Sequence, residues 1–184
     1  MIDRRTVLFG AAALIFAPGS ALAHREPFKL DPKFEPQRVM FRGYAPGTIV
    51  VDPQNRFLYY VENPDFATRY GVGVGRAGLA FKGAAVVGRK AEWPFWRPTQ
   101  SMIRRSPKKY ARYANGLRGG PRNPLGARAL YLYRDGQDTM YRIHGTTEPW
   151  SIGQAVSNGC IRMINDHVIE LFSQVAIGAP VVVR

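Results

Sequence analysis

Short runs of β-branched and aromatic residues recur along this chain and are separated by turn-forming residues, a pattern typical of β-strands. Two of the separating segments, Asp52 to Asn55 and Asp135 to Gln137, have the residue types of hairpin turns. The pattern predicts strands at residues 48–51, 57–61, 69–74, 84–87, 129–133, 140–143 and 180–183. A mainly β chain is therefore expected.

A helical repeat of apolar residues is clear near the C-terminus. Asn165 or Asp166 is expected to cap this helix and Gly178 to end it. A second helix is predicted over residues 101–113, and no internal repeat interrupts the chain. One mainly β domain with one or two helices is the expected fold. The apolar positions expected on one face of the first helix are Val168, Leu171, Phe172 and Val175.

The N-terminus has the order of an export signal. Arg4 and Arg5 precede an apolar run at 7–17, and small residues follow up to Ala23, where we predict cleavage. Residues 1–23 are thus a predicted signal peptide, through the general or the twin-arginine route, and the mature protein is expected in the periplasm. The run is too short to span a bilayer in the usual way, so no stable membrane span is expected.

Two further segments follow the predicted signal. Residues 24–46 are polar and proline-containing, which predicts an extended N-terminal arm. Residues 47–184 are predicted to form the folded domain.

The chain is strongly basic, with a formal net charge of +13. Tyr110 and Tyr113 lie among the basic residues, and inside a cell this mixture would indicate nucleic-acid binding. An exported protein rarely meets nucleic acid, so anionic wall polymer, peptide carboxylates or a membrane surface are favoured, with a solvated basic face as the alternative. Much of the charge comes from Arg104, Arg105, Lys108, Lys109, Arg112, Arg118, Arg122 and Arg128.

The segment Gly73 to Gly78 matches the G-x-G-x-x-G dinucleotide fingerprint. That fingerprint requires a following helix within a βαβ unit, and the sequence after Gly78 is short and soon reaches Gly83. We therefore interpret these glycines as strand and hairpin residues.

Cys160 is the only cysteine, and His144 lies sixteen positions before it. An exported protein with one cysteine has no intramolecular disulfide partner for it, so the reactivity of the thiol must be considered. A neighbouring imidazole can convert a thiol into the nucleophilic thiolate. We predict Cys160 as a nucleophile and His144, at the end of strand 140–143, as its general base and acid.

Residues beside this pair suggest supporting roles. The backbone N–H groups of Gly159 and Cys160, with Asn158, are expected to form an oxyanion hole. A backbone carbonyl or the Thr146 hydroxyl is expected to orient the imidazole at the turn that begins at Gly145.

Substrate contacts are also suggested. Arg162 is expected to bind a substrate carboxylate in bidentate fashion. Ser157 is either an orienting group or an ordinary turn hydroxyl. Trp93, Trp96 and Met102 either line a substrate groove or pack under a loop.

A zinc site formed by His144, Cys160 and His167 is the alternative chemistry. These three residues lack compact ligand spacing, so neither a metal nor another cofactor is predicted. His167 is expected to be a surface or structural residue.

The motifs together resemble the L,D-transpeptidase (YkuD-type) catalytic-domain family over residues 47–183. Asn158 departs from the pattern, because many members have histidine there. The residues that carry the resemblance are His144-Gly145-Thr146, Gly153, Ser157, Gly159-Cys160-Ile161-Arg162-Met163, Asp166, Gly120, Asn123-Pro124-Leu125-Gly126, the strand from Ala129 to Leu132, and the segment from Glu92 to Thr99.

The resemblance implies a β-sandwich-like fold and acyl transfer on peptidoglycan stem peptides without a cofactor. Cys160 would attack the third stem residue, a diamino acid, and expel the terminal D-alanine. An amine would then resolve the thioester, giving 3-3 crosslinks, attachment of outer-membrane proteins or exchange of D-amino acids, whereas water would give carboxypeptidase activity. A noncatalytic basic wall-binding protein and a secreted cysteine peptidase are the competing hypotheses.

Overall fold

The computed structural model describes residues 28–77, 79 and 81–184, so the predicted signal peptide lies outside the described residues. Strands predominate in this part and helices are few, which confirms the predicted mainly β fold. The strands are β1 Gln37–Met40, β2 Ile49–Asp52, β3 Phe57–Val61, β4 Phe66–Gly71, β5 Val74–Gly75, β6 Gly83–Glu92, β7 Arg128–Arg134, β8 Gln137–His144, β9 Ala155–Ser157, β10 Ile161–Arg162 and β11 Pro180–Val183. The α-helices are α1 Gln100–Arg105, α2 Pro107–Tyr110 and α3 Asn165–Gln174.

Nine of these strands form one mixed sheet, in the order β1-β4-β3-β2-β11-β6-β7-β8-β10. Most neighbours are antiparallel, but β11 lies parallel to β2 and β10 lies parallel to β8. The two remaining strands, β5 and β9, pair with each other in a small parallel sheet. The chain therefore returns to the edge of the large sheet at β10, immediately after Cys160.

Residues from both halves of the large sheet contribute to one apolar core. Ile49 and Leu58 come from one half, Leu130 and Ile143 from the other, and all four are fully buried. Helix α3 covers this core, and its predicted apolar face is confirmed, because Val168, Leu171 and Val175 are buried and Phe172 is partly buried. Burial of this face stabilises the helix on the sheet.

A lysine of β6 hydrogen-bonds to backbone carbonyl groups at the C-terminal end of α3. The Nζ atom of Lys90 donates hydrogen bonds to the carbonyl oxygens of Phe172 and Val175, each at 2.6 Å. A positive charge at this end also offsets the partial negative charge of the helix dipole. The helix is thus fixed to the sheet at the point where it ends.

The predicted caps of α3 are wrong. The N-cap is Ile164, without a side-chain cap hydrogen bond, and the helix ends at Gln174 rather than running to Gly178. Asn165 is already the first helical residue, and its side chain bonds to other loops instead. A cap residue and a residue that bridges outward have the same amino-acid type, so the sequence pattern did not separate them.

Two other predicted elements are divided in the structure. The predicted strand at 69–74 is β4 followed by β5, because the backbone of Gly73 pairs with Arg162 instead of continuing the β4 ladder. The predicted helix at 101–113 consists of α1, α2 and a 3-10 turn, Ala111–Tyr113. Pro107 explains the first break, since proline has no N–H to donate within a helix.

Part of the expected extended arm belongs to the sheet. Strand β1 pairs antiparallel with β4, and the preceding 3-10 turn Pro32–Phe34 places the Phe34 ring against Gly153. A Cβ atom at Gly153 would lie 2.4 Å from that ring. The residues before β2 therefore pack against the loop that leads to Cys160.

No helix in the described residues is long and apolar enough to cross a membrane.

We expect Gly153→Ala to lower the free energy of unfolding more than Gly178→Ala. Both glycines have positive φ, +82° and +88°, so alanine is strained by about 1 to 2 kcal/mol at either site. Only Gly153 faces Phe34, whereas Gly178 has open space, and overpacking adds about 1 to 3 kcal/mol. Urea unfolding of the two variants measures the difference. Equal losses would show that Phe34 does not pack there.

Candidate active site

The parallel pairing of β10 with β8 positions the predicted nucleophile and base. Ile161 lies opposite Ile143 and Arg162 opposite His144, so Cys160 comes next to Arg142. Ile143 and Ile161 point into the core, and side chains alternate between the two faces of a strand. Cys160 and Arg162 therefore share the opposite face with His144.

On this face a cavity of about 140 Å³ contains most of the predicted site. Trp93 is not part of it, since this residue is exposed and its backbone lies against Gly119. Helix residues that the sequence did not assign to the site, including Lys109 and Tyr110, form part of the wall. The lining residues are Trp96, Met102, Lys109, Tyr110, Pro124, Leu125, His144, Thr146, Thr147, Glu148, Ser157, Asn158, Cys160 and Arg162.

The imidazole of His144 is buried, with 5% of its surface exposed, and it is oriented by the backbone. Its Nδ1 atom bonds to the carbonyl oxygen of Gly145. A carbonyl only accepts, so Nδ1 carries the proton and Nε2 is the unprotonated nitrogen that a general base requires. The Thr146 hydroxyl accepts from the backbone N–H of Glu148 at 3.0 Å instead. Of the two expected orienting groups, the carbonyl is therefore the one in contact.

Electrostatics keep both members of the pair neutral. The pKa of His144 falls from 6.5 to about 4, chiefly through burial; the Gly145 carbonyl opposes this shift, and the charges of Arg162 and Arg142 add to it. Burial also raises the pKa of the half-buried Cys160 thiol, against the effect of Arg142. At neutral pH the site therefore holds a thiol and an uncharged imidazole.

The loop before Cys160 has a backbone that only glycine adopts easily. Gly159 has φ of +126°, and a Cβ atom there would lie 2.5 Å from the Leu79 carbonyl oxygen and 2.6 Å from the Tyr141 ring. The Gly159 N–H donates to Ser157 Oγ at 3.0 Å, and the Ser157 hydroxyl donates to the Cys160 carbonyl at 2.6 Å. Ser157 thus braces the loop, and it occupies one N–H expected in the oxyanion hole.

Asn158 connects the same loop to the two short helices. Its Oδ1 atom accepts from Arg105 at 3.3 Å, and its Nδ2 atom donates to the Tyr110 hydroxyl at 3.2 Å. Both polar atoms of this side chain therefore bond to the helical segment, so neither is directed to an oxyanion in this arrangement.

Arg162 has an acidic partner inside the cavity. Its Nη1 atom lies 2.6 Å from Glu148 Oε2, and 18% of its side-chain surface is exposed. Glu148 was not singled out from the sequence. This ion pair fixes the guanidinium two residues beyond the thiol, with part of its surface still facing the cavity.

Asn165 is the structural residue that sequence reasoning assigned wrongly. Its Oδ1 atom accepts from the backbone N–H groups of Ala127 and Thr146 at 3.1 and 3.2 Å, and its Nδ2 atom donates to the Thr146 carbonyl at 3.1 Å. Gly126 and Gly145 make room for it, since a Cβ atom on either would lie 2.2 Å from Oδ1. This side chain holds the turn that follows His144.

Arg142, opposite Cys160, is held by two contacts. It makes a bidentate ion pair with Asp138, at 2.6 and 2.8 Å, and its guanidinium lies 4.2 Å from the centre of the Tyr131 ring. Its charge is therefore fixed beside the thiol and the imidazole.

The residues considered for zinc do not meet. His167 Nε2 lies 3.2 Å from Glu35, and His167 does not line the cavity that contains His144 and Cys160. Within residues 28–77, 79 and 81–184, no group of three or more His, Cys, Asp or Glu side chains is placed to hold a metal ion. The G-x-G-x-x-G match also lacks its context, because Val74–Gly75 is a strand paired with β9 and Leu79 lies in a turn.

Comparison with known proteins identifies the family. The model of the YkuD family, the L,D-transpeptidase catalytic domain, matches residues 46–183. This chain therefore belongs to the L,D-transpeptidase catalytic-domain family, as its motifs indicated. The probable L,D-transpeptidase ErfK/SrfK of Escherichia coli K12 is 34% identical over 137 residues, which cover 73% of this chain and 43% of that protein. The chain thus spans less than half the length of this relative.

Two solved structures are similar in fold. A Brucella melitensis protein described as a probable carnitine operon oxidoreductase is 56% identical, with a TM-score of 0.59 over 81% of this chain and 92% of that one. An L,D-transpeptidase from Mycobacterium smegmatis is 16% identical, with a TM-score of 0.55 over 74% of this chain and 58% of that one. The second likeness concerns the fold alone.

The low pKa of His144 predicts a pH-dependent stability. The unfolded chain protonates this imidazole near pH 6.5 and the folded protein near pH 4, so between these values the unfolded state binds more protons. Stability should therefore fall as the pH drops from 6.5 to 4, by about 3 kcal/mol for this one group.

His144→Gln removes the titrating group and so isolates the contribution of His144 to the pH dependence of stability. The difference in unfolding free energy between the wild type and this variant should change by that amount between pH 7 and pH 4. Urea unfolding across this range is the measurement, and parallel pH profiles would contradict the assignment.

Proposed function

We propose that this protein is a periplasmic cysteine acyltransferase that acts on peptidoglycan stem peptides as an L,D-transpeptidase. The observation that carries the proposal is the β8–β10 register, which places Cys160 and His144 on one face and in one cavity. The family membership supports the reaction type. The predicted signal peptide supports the location, as does the chemistry of a substrate found outside the cytoplasm.

In the proposed acylation step, Cys160 Sγ forms a bond to the carbonyl carbon of the third stem residue. His144 Nε2 accepts the thiol proton, which the bond between Nδ1 and Gly145 allows. The tetrahedral intermediate then collapses, the C–N bond breaks, and His144 returns the proton to the departing D-alanine amine. A thioester on Cys160 is the product.

The thioester is resolved by the reverse sequence of proton transfers. An acceptor amine attacks the carbonyl carbon, His144 removes a proton from the nitrogen, and the Cys160 sulfur leaves and is reprotonated. A stem-peptide amine gives a 3-3 crosslink, and an amine of an outer-membrane protein attaches that protein to the wall. With water as the acceptor, the same step gives an L,D-carboxypeptidase.

The uncharged states of Cys160 and His144 before substrate binds determine when the thiol proton is transferred. A thiolate and imidazolium formed before the substrate arrives would both be charged in a buried site, which their shifted pKa values disfavour. We infer that thiol deprotonation accompanies attack. The Cys160 N–H is the candidate oxyanion donor, because Ser157 occupies the Gly159 N–H.

Intact-mass and product analysis of the full chain with a disaccharide-tetrapeptide tests the proposal. An acyl-enzyme with release of D-alanine supports it, and wall binding without acylation would favour the noncatalytic alternative. Cleavage of unrelated proteins would instead favour a secreted cysteine peptidase.

Cys160→Ser should form far less acyl-enzyme than the wild type while it keeps the fold. A serine hydroxyl is much less acidic than a thiol of pKa about 8.5, and neutral His144 cannot compensate fully. Intact-mass measurement after incubation with the tetrapeptide gives the acylated fraction, and thermal unfolding checks the fold. A serine variant acylated as fast as the wild type would reject Cys160 as the nucleophile.

Arg162→Ala should lower kcat/KM on acidic donors by about ten- to a hundredfold, the effect of losing one charge-assisted hydrogen bond. The loss should be smaller on amidated donors, and Arg162→Lys should recover little if the contact is bidentate. Glu148→Gln is the matched control, because it breaks the ion pair but keeps the guanidinium.

The melting temperatures of the two variants distinguish recognition of a substrate carboxylate by Arg162 from a structural role in which Arg162 only holds the loop in place. If Arg162 only braces the loop, both variants should lose the same thermal stability, and Arg162→Ala should lose activity equally on both donor types. That outcome would reject a role in carboxylate recognition.

A further inference from the structure

A group of exposed cations lies on the segment that forms one wall of the cavity. We call it the basic face, and its position coincides with a long gap in acidic residues, since none occurs between Glu92 and Asp135. Within the described part of the chain, these side chains form no salt bridge. The basic face consists of Arg104, Arg105, Lys108, Lys109, Arg112, Arg118 and Arg122.

This arrangement differs from the rest of the surface. Arg38 and Arg42, which are also exposed, pair with Glu62 and Asp65 at 2.9 and 2.7 Å. On the basic face no acidic side chain of the described residues pairs with a cation: Lys109 and Arg112 lie over the rings of Tyr110 and Tyr113, and Arg105 bonds to the neutral Asn158. The positive charge is therefore uncompensated, and an anionic ligand would relieve the repulsion among these side chains.

The basic face is continuous with the cavity. Lys109 lines the cavity itself, next to Tyr110. Asn158, two residues before Cys160, bonds to both Arg105 and Tyr110. These bonds connect the basic face to the loop before Cys160, which we call the nucleophile loop. A ligand held on the basic face therefore lies beside whatever occupies the cavity.

We propose that the basic face binds the carboxylates of stem peptides adjacent to the one in the cavity. This inference rests on the proposed function. Polymeric peptidoglycan presents stem carboxylates repeatedly along each strand, so several weak contacts act together on one tethered ligand. The enzyme would thus select polymeric wall over isolated stem peptide.

The chemistry of this surface favours stem-peptide carboxylates over a lipid surface as the ligand. No large exposed apolar side chain belongs to residues 100–122, and the two that lie beside this segment, Phe95 against Gly116 and Trp93 against Gly119, are single aromatic residues outside any helix. Helices α1 and α2 have only six and four residues, which is too short for a membrane-binding amphipathic helix. Dense positive charge with two single aromatic rings beside it, and no amphipathic helix, fits a hydrated carboxylate polymer better than a bilayer surface.

Co-sedimentation with purified peptidoglycan tests the proposal. All proteins carry Cys160→Ala, so that binding is measured without turnover. Arg104, Lys108, Arg118 and Arg122 are changed together to glutamine, because none of these four side chains lines the cavity. The matched control changes four exposed cations elsewhere, Lys29, Lys33, Arg42 and Lys82, and so alters the net charge equally.

The basic-face variant should bind about fifteenfold more weakly than its parent, because each of the four lost contacts contributes roughly a factor of two. The control variant should bind nearly as the parent does. Amidation of the peptidoglycan carboxylates, or raised salt, should remove the difference.

Equal loss in both variants would overturn the proposal in favour of net charge alone. Binding that survives amidation would also overturn it, as would stronger binding to phosphatidylglycerol vesicles than to peptidoglycan. Acylation of the protein with intact Cys160 is measured separately. Normal acylation without selective wall binding would therefore reject this inference and leave the proposed function standing.

Discussion

The site depends on one backbone pairing, the parallel register of β10 with β8. It sets Arg162 opposite His144, and the alternation of side chains then places Cys160 on the same face as the imidazole. A slip of one residue would direct the thiol into the core and Ile161 into the cavity. The pairing itself is short, so neighbouring contacts are needed to hold it, namely the Gly73–Arg162 bridge and the bond from Met163 N–H to the His144 carbonyl at 2.8 Å.

Side-chain bonds to loop backbone complete this arrangement. Asn165 joins the turn after His144 to the loop before β7, and Ser157 joins the two ends of the nucleophile loop. Asn165 uses the space that Gly126 and Gly145 leave open. The glycines in the motifs are therefore explained by close approach and backbone conformation, which fix the geometry around Cys160 and His144.

Charge is distributed in two distinct ways around the cavity. Arg142 and Arg162 are paired with Asp138 and Glu148, so each guanidinium has a fixed position near the buried pair. The cations of the basic face are exposed and have no such partners in the described residues, which leaves them available to an external anion. The first arrangement adds to the lowering of the His144 pKa that burial causes, and the second places positive charge along one wall of the cavity.

The sequence by itself determined the β-rich class and the apolar face of α3, and it singled out one cysteine and one histidine as candidates, because periodicity and residue chemistry are local properties. It also indicated the family, since the motif around Cys160 is long and ordered. Only the tertiary structure decided that the Gly145 carbonyl orients His144, that Asn165 bridges loops and caps no helix, that Trp93 lies outside the cavity, and that Glu148 pairs with Arg162. Strand register and loop packing decide which residues come into contact at these positions. A given side chain can bond to several kinds of partner, and only the folded chain brings one of them within reach.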